Sequence, residues 1–396
     1  MKRIAIIRGS NLNKFEMQSF EPLTTRYDVH AFSSRRTNFE TDGINFPVHR
    51  ILCSDDLIEL LLPRRTRRFV ELALTEGAGV TQALFTLRER LRGFDIVHTA
   101  DPHYYYSYQA AKAKLLFGFK LVTTQWENIP FMRERTRRRR RMKYLVLSVT
   151  DHFIAVTQRA KEALMLEGVG PERISILPPG IDIERFKPRS KAPSFLNAVR
   201  ATERDIIVSF VGRMTQAKGL EFLLWSFKRL QSDPAIRGLG RAVRLVLFGK
   251  GSKEGQYKRL VDRLGLSQDV CFYGSCPYSE MEMVYNGTDI FVLPSIPLVF
   301  PFPWQEQLGM VLLESMASEC AVLTTQSGSI PEVVGDAALV CQPADFLDLS
   351  NKLRVLCLDA DLRKELGRKA RERVLRLYNS TVNADRLAEI YERLGV

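Results

Sequence analysis

Ile206-Ile207-Val208-Ser209-Phe210-Val211-Gly212-Arg213-Met214-Thr215-Gln216-Ala217-Lys218-Gly219 reads as a buried strand that ends at a glycine and opens into a helix. The β-branched run predicts a strand over Ile206–Val211, and the apolar periodicity beyond predicts a helix over Gly219–Leu230. Gly212, at the strand's end, permits a tight reversal and close approach by a ligand. Arg213 and Lys218 set two cations beside a helix start, where free amides and the positive dipole end already favour an anion. That combination suits a diphosphate.

The same alternation extends outward from this segment. In the second half, strands are expected at Arg244–Phe248, Val270–Tyr273, Ile290–Leu293, Ala321–Thr324 and Ala338–Val340, with helices at Gly255–Leu264 and Met310–Ala317. In the first half, strands are expected at Lys2–Ile7, Val29–Phe32, Ile96–His98, Lys120–Thr124 and His152–Val156. Helices are expected there at Asp56–Leu62, Val80–Leu91, Tyr106–Leu116 and Arg133–Leu147. Between the halves, Leu177-Pro178-Pro179-Gly180 through Lys187-Pro188 to Pro193 reads as a linker.

Strand and helix at this spacing predict parallel sheets with helices on both faces. The expected fold class is therefore α/β, with two Rossmann-like doubly wound domains facing each other across a cleft. Ligands of such sheets bind beyond the strands' carboxyl ends. The expected domains are 1–185 for an acceptor and 186–375 for a nucleotide-sugar donor. A last helix, 376–396, is expected to pack back toward the first domain.

Composition agrees with a soluble globular chain. The 396 residues are 45% hydrophobic and 26% charged, enough for two cores. Six scattered cysteines and five histidines give no metal-ligand spacing, so neither a metal site nor a disulfide framework is expected. The apolar start Ile4–Ile7 is too short for a signal peptide and reads as a first strand. Ile290–Trp304 is apolar but holds four prolines and falls short of a membrane span.

Glu306-Gln307-Leu308-Gly309-Met310-Val311-Leu312-Leu313-Glu314 is the second informative segment. Glu306 precedes a glycine that starts an apolar helix, and its amides at Gly309, Met310 and Val311 suit phosphate. Glu314 lies among Leu312, Leu313 and Met316, where a carboxylate needs donors. Ribose hydroxyls would serve. Phe248-Gly249-Lys250-Gly251-Ser252 adds a third strand-then-glycine turn.

The order of these segments resembles the family-4 (group 1) retaining glycosyltransferases of the GT-B fold. The resemblance rests on Val211-Gly212-Arg213 with Lys218-Gly219, Gly249 with Gly251, Tyr273-Gly274, and Leu293-Pro294-Ser295. It continues through Glu306 and Glu314 with Ser315-Met316-Ala317, then Gly328-Ser329-Ile330-Pro331-Glu332-Val333. Leu177-Pro178-Pro179-Gly180-Ile181-Asp182 with Phe186 is similar to the family's interdomain segment, with Pro179 where asparagine is usual. The first half matches in architecture, and at Asp95-Ile96-Val97-His98 and Ala155-Val156-Thr157.

The resemblance implies that Arg213 and Lys218 bind the donor diphosphate, Glu306 the donor sugar and Glu314 the ribose. Gly212, Gly249, Tyr273, Ser295, Leu308, Gly309, Met310 and Val311 would line the donor site. Glu306, Arg213 and Lys218 would carry catalysis, with retention of configuration and with no cofactor or metal. Family members often carry a glycine-rich loop after the first strand, where this chain has Gly9-Ser10-Asn11. Many place a histidine after the strand matching Leu121–Thr124, where this chain has Gln125-Trp126-Glu127-Asn128. Gly9, Gln125, Glu127, His98 and His103 are therefore the candidate acceptor or sugar contacts. His103-Tyr104-Tyr105-Tyr106 and Trp126 either stack on a sugar or pack.

The net charge of +13 is uneven. Arg133–Lys143 holds eight basic residues and one acid, and Arg64-Arg65-Thr66-Arg67-Arg68 is a second cluster. Arg137, Arg138, Arg139, Arg140 and Arg141 are the expected membrane-facing residues, since anionic head groups attract such runs. A solvated helix face is the plainer reading. Nucleic acid is not an expected partner, because no basic, aromatic-interleaved sheet or recognition helix is present. The expectation is a hexosyltransferase using a UDP- or GDP-sugar donor and a sugar or lipid-linked acceptor, for cell-surface polysaccharide or glycolipid synthesis. It would be cytoplasmic, at the inner face of the membrane. The alternatives are a sugar epimerase or phosphorylase of the same architecture, or a non-catalytic basic protein binding membrane or polyanion on that scaffold.

Overall fold

The computed structural model describes residues 1–395 except 62, 64, 65, 67–69, 71–79, 81 and 301. The basic cluster at 64–68 lies outside the described residues, apart from Thr66. Two compact units form, one from Met1–Gly180 with Ser380–Val396, the other from Ile181–Asn379. The chain thus crosses at Gly180–Ile181 and returns at Asn379–Ser380, against expected boundaries after 185 and 375.

In the first unit the strands are β1 (Arg3–Ile7), β2 (Asp28–Ser34), β3 (Val48–Ile51), β4 (Ile96–Ala100), β5 (Lys120–Gln125), β6 (His152–Ala155) and β7 (Ile174–Ile176). They form a parallel sheet in the order β3-β2-β1-β4-β5-β6-β7. Side chains alternate between two buried faces. Ile4, Ile6, Val29 and Ala31 join one core, whereas Ala5, Ile7, Phe32 and Val97 join the other. A sheet covered on both sides needs continuous apolar strands, which is the pattern in β1. The helix Ser380–Arg393 closes the first core with Ala384, Leu387, Ile390 and Tyr391.

Three elements differ from expectation. The helix expected over Val80–Leu91 is only Leu87–Arg90, with Leu84 in a bridge to Cys53. The strands β3 and β7 gave no sequence signal because edge strands are short and half polar.

In the second unit the strands are β8 (Ile206–Val211), β9 (Val243–Phe248), β10 (Val270–Gly274), β11 (Ile290–Leu293), β12 (Ala321–Thr325) and β13 (Ala338–Cys341). Their order is β10-β9-β8-β11-β12-β13, all parallel. Chain direction across the sheet reverses between β8 and β11. That reversal is where a doubly wound sheet opens a crevice at its carboxyl edge.

Candidate active site

The loops leaving β8, β9, β11 and β12 are fitted to one another at this switch point. Met214 N–H donates to the Lys250 carbonyl at 2.9 Å, and Ile296 N–H to the Ala217 carbonyl at 2.9 Å. Gly249 has φ +114°, and a Cβ there would collide with the Gly212 carbonyl. Gly212 and Gly249 therefore serve loop-against-loop packing. Tyr273, half-buried, lies against the Phe248 ring with centroids 4.8 Å apart.

Glu306 is buried at the centre of this arrangement. Its Oε2 accepts from Lys218 Nζ at 2.6 Å and from Ser295 Oγ at 2.7 Å. Its own carbonyl accepts from Ser329 N–H at 2.9 Å. Gly328 has φ +57°, and a Cβ there would overlap the Glu306 backbone. The Lys218 ammonium also faces the Trp304 ring, 5.1 Å from its centroid. Lys218 and Glu306 are thus brought together from segments 88 residues apart. Arg213 is exposed on the same β8 turn, with no side-chain hydrogen bond or ion pair to another described residue.

Three expected donor contacts are engaged within the unit itself. Ser295 is fully buried and holds Glu306, while its carbonyl accepts from Thr325 Oγ1 at 2.5 Å. The Leu308 side chain is packed in the core. Glu314 is 3% exposed, and its Oε2 accepts from the Tyr285 hydroxyl at 2.5 Å. Tyr278 donates to the same carboxyl. Burial raises the Glu314 carboxyl to about 7, opposed by the two phenols and by Arg185. The donors this acid needs are therefore supplied by tyrosines within the unit. Gly309, with φ +80°, begins the helix Met310–Ala317, and no side chain caps it, leaving the Met310 and Val311 amides outside any cap bond.

The first unit rearranges the candidate acceptor residues. His98 is 1% exposed, with Nδ1 2.6 Å from the Tyr391 hydroxyl and Nε2 2.6 Å from Thr124 Oγ1. Burial, with Arg8 nearby, holds it neutral well below the usual histidine range. It is a structural tie between β4, β5 and the last helix, contrary to the expectation of a sugar contact. Gln125 is likewise buried, with Nε2 donating to the Glu127 carbonyl at 2.7 Å. Gly9 is buried beneath Gln82 and the Tyr106 ring. His103 rests on Tyr104 at 4.4 Å, and Tyr104 stacks on Tyr106 at 5.0 Å, so these aromatics pack together. Burial raises the Glu127 carboxyl, which accepts from the Asn128 and Ile129 amides.

Sequence reading missed Asp101. It has φ +48° and its Oδ1 accepts from the Trp126 and Glu127 amides at 2.9 and 3.1 Å. It shapes the turn after β5, and burial raises its carboxyl to about 7. Trp126 lines a pocket with Glu16, Phe20, His98, Pro179 and Leu387.

The arginine run divides between two environments. It begins the helix Arg137–Val149, whose buried residues are Arg139, Met142, Lys143, Val146 and Leu147. That spacing is one helical face. Arg139, at 6% exposure, is therefore not membrane-facing as expected. Lys143 lies between Glu167 at 2.6 Å and Glu134 at 3.0 Å. Arg137, Arg138, Arg140 and Arg141 remain exposed, and so does Tyr144.

Comparison with known proteins agrees with this architecture. The pattern of the family described as glycosyl transferases group 1 matches residues 194–373, and that of glycosyltransferase family 4 matches 25–185. A D-inositol 3-phosphate glycosyltransferase of Corynebacterium kroppenstedtii is 26% identical over 272 residues, 64% of this chain and 56% of that protein. The phosphatidylinositol N-acetylglucosaminyltransferase GPI3 subunit of Saccharomyces cerevisiae is 25% identical over 292 residues, 71% of this chain and 56% of that protein. The chain thus spans little more than half the length of either relative. Among solved structures, Anabaena HepE in complex with UDP and glucose superposes with a TM-score of 0.76 at 17% identity, covering 99% of this chain and 100% of that one. The chain belongs to the group 1 glycosyltransferases and has their GT-B fold of two Rossmann-like domains.

Proposed function

We propose that the protein is a retaining hexosyltransferase that moves a hexose from a UDP- or GDP-linked donor to a sugar or lipid-linked acceptor, in cell-surface polysaccharide or glycolipid synthesis. The observation that carries this reading is the Lys218–Glu306–Ser295 cluster at the switch point between β8 and β11. A donor diphosphate competes with Glu306 for Lys218 and adds Arg213 and the Met310 and Val311 amides. The anomeric C–O bond then breaks with its electron pair on the diphosphate, where these cations and amides stabilise it. The acceptor hydroxyl attacks from the same face and its proton passes to the departing diphosphate oxygen. Glu306, freed from Lys218, lies beside the positive charge developing on the sugar. Lysine, arginine and amides supply the charge stabilisation a metal otherwise gives, so the reading calls for no metal or cofactor.

The lipid-linked acceptor and the membrane's inner face are supported by the exposed half of the arginine run. Four cations in the first turns of a helix oppose its dipole, so they do not stabilise that helix. With Tyr144 one turn beyond Arg140, they make a face suited to anionic head groups. The yeast relative is a phosphatidylinositol N-acetylglucosaminyltransferase subunit, whose substrate class is a lipid.

Thermal unfolding against a panel of UDP- and GDP-sugars tests the donor. One nucleotide class is expected to stabilise the protein by about 2–3 kcal/mol at a hundredfold excess over Kd. No shift with any of them removes the transferase reading. Replacing Arg137, Arg138, Arg140 and Arg141 by glutamine is expected to weaken binding to phosphatidylglycerol vesicles by about 10²-fold or more at low salt. Unchanged binding removes the membrane face at this run.

A further inference from the structure

Between β11 and Glu306 the chain forms a short hairpin, with Leu298 and Trp304 exchanging backbone hydrogen bonds of 2.8 and 2.9 Å. Its tip carries Val299 at 84% exposure and Phe300 at 87%, the two most exposed large hydrophobic residues among those described. From Ile290 to Gln305 the sequence contains no charged residue. Isolated exposed apolar side chains need no explanation, but an uncharged projecting loop tipped by valine and phenylalanine does.

We propose that the hairpin Leu298–Trp304 inserts its tip into the acyl-chain boundary of a phospholipid bilayer, so that the donor-binding domain works against a membrane. This deepens the lipid-linked acceptor reading and rests on it. The backbone supports the choice of a bilayer over another occupant. A loop entering an apolar phase is penalised for every backbone N–H left without a partner. Here the N–H groups of Leu298 and Trp304 are paired to each other, and positions 301 and 303 are prolines, which have none. Of the seven positions from 298 to 304, the two prolines carry no amide hydrogen and those of Leu298 and Trp304 are paired. Phenylalanine at the tip and tryptophan at the base follow the order of depth at which these side chains rest in a bilayer, since indole favours the interface. The net charge of +13 draws the chain to anionic lipid from a distance, and the uncharged tip adds a contact that salt does not screen. The base is also tied to the chemistry. Trp304 faces the Lys218 ammonium, and Glu306 follows two residues later.

The test uses the full chain with vesicles of phosphatidylethanolamine and phosphatidylglycerol at about 0.5 M salt, where electrostatic attraction is largely screened. The double variant Val299→Ser, Phe300→Ser is expected to partition about tenfold less than the parent, with its nucleotide-induced thermal shift unchanged. Phe300→Trp is expected to show fluorescence quenching by lipids brominated in the acyl chain. Equal partition of the serine variant, or no quenching at position 300, overturns the proposal. Concentration-dependent self-association that the serine variant abolishes also overturns it, because a second copy would then be the occupant. Failure of the parent to respond to nucleotide removes the transferase reading while leaving the vesicle measurement interpretable.

Discussion

Lys218→Ala is expected to cut sugar transfer by about 10³-fold, the loss seen when one preorganised donor to a developing anion is removed. It is also expected to destabilise the protein by about 2 kcal/mol. The second effect arises because Glu306 is left as a buried carboxylate that has lost its ammonium partner, while Ser295 still donates to Oε2. Breaking a fully buried pair costs more, but Lys218 is partly exposed and water reaches its place. Adding Glu306→Gln removes the stranded charge. The double variant is expected to recover most of the stability and none of the activity. Chemical unfolding beside a transfer assay separates the two effects. Parental turnover in Lys218→Ala sinks the site assignment; a double variant as unstable as the single one sinks the explanation through the buried charge.

This pair marks how far the sequence alone reached. Lys218 and Glu306 were legible because each sits at a strand-to-helix turn, where chemistry is confined to a few positions by glycine and by the helix start. Their mutual contact was not legible, since it depends on how two loops 88 residues apart fit around Gly328 and Pro294. Ser295 was legible as a site residue but not as the holder of Glu306, because a serine at a strand end points either way. His98 misled for a related reason. A histidine beside a strand end looks accessible in one dimension, whereas its partner Tyr391 comes from the last helix, 293 residues on.

Charge runs are read poorly from sequence for another reason. Arg139 and Lys143 are four apart and share the buried face of a helix, while their neighbours face outward. Only the helical phase, set by Met142, Val146 and Leu147, separates the two groups. Edge strands β3 and β7 escaped because they bury little. The four central strands of the second unit, β9, β8, β11 and β12, were legible because each is buried on both faces and bounded by turn residues, and its partly buried edge strands β10 and β13 were legible from their apolar runs. Fold was thus carried by burial, which leaves a repeating pattern. The site was carried by particular approaches between loops, which leave none.

Glu314→Gln is expected to stabilise the protein above neutral pH while weakening its hold on a nucleotide. The unfolded carboxyl has its ordinary value near 4.5, and burial raises the folded one to about 7. Below 4.5 both states hold the proton and the group contributes no pH dependence. Between 4.5 and 7 the folded protein keeps a proton that the unfolded chain has released, so stability falls as pH rises. Above 7 both are ionised and the penalty stays constant, at about 3 kcal/mol. Glutamine keeps an oxygen for the Tyr285 hydroxyl and has no proton to lose. Its unfolding free energy is therefore expected to lack this decline, and at pH about 8 to exceed that of the parent by about 2–3 kcal/mol. If the acid is retained despite that penalty because its ionised form accepts ribose hydroxyls in place of the tyrosines, nucleotide binding falls about tenfold in the variant. Urea unfolding from pH 5 to 8, with and without UDP or GDP, reads both quantities. A parent whose stability does not decline over this range refutes the buried-acid account, and undiminished nucleotide affinity in the variant removes the ribose from Glu314.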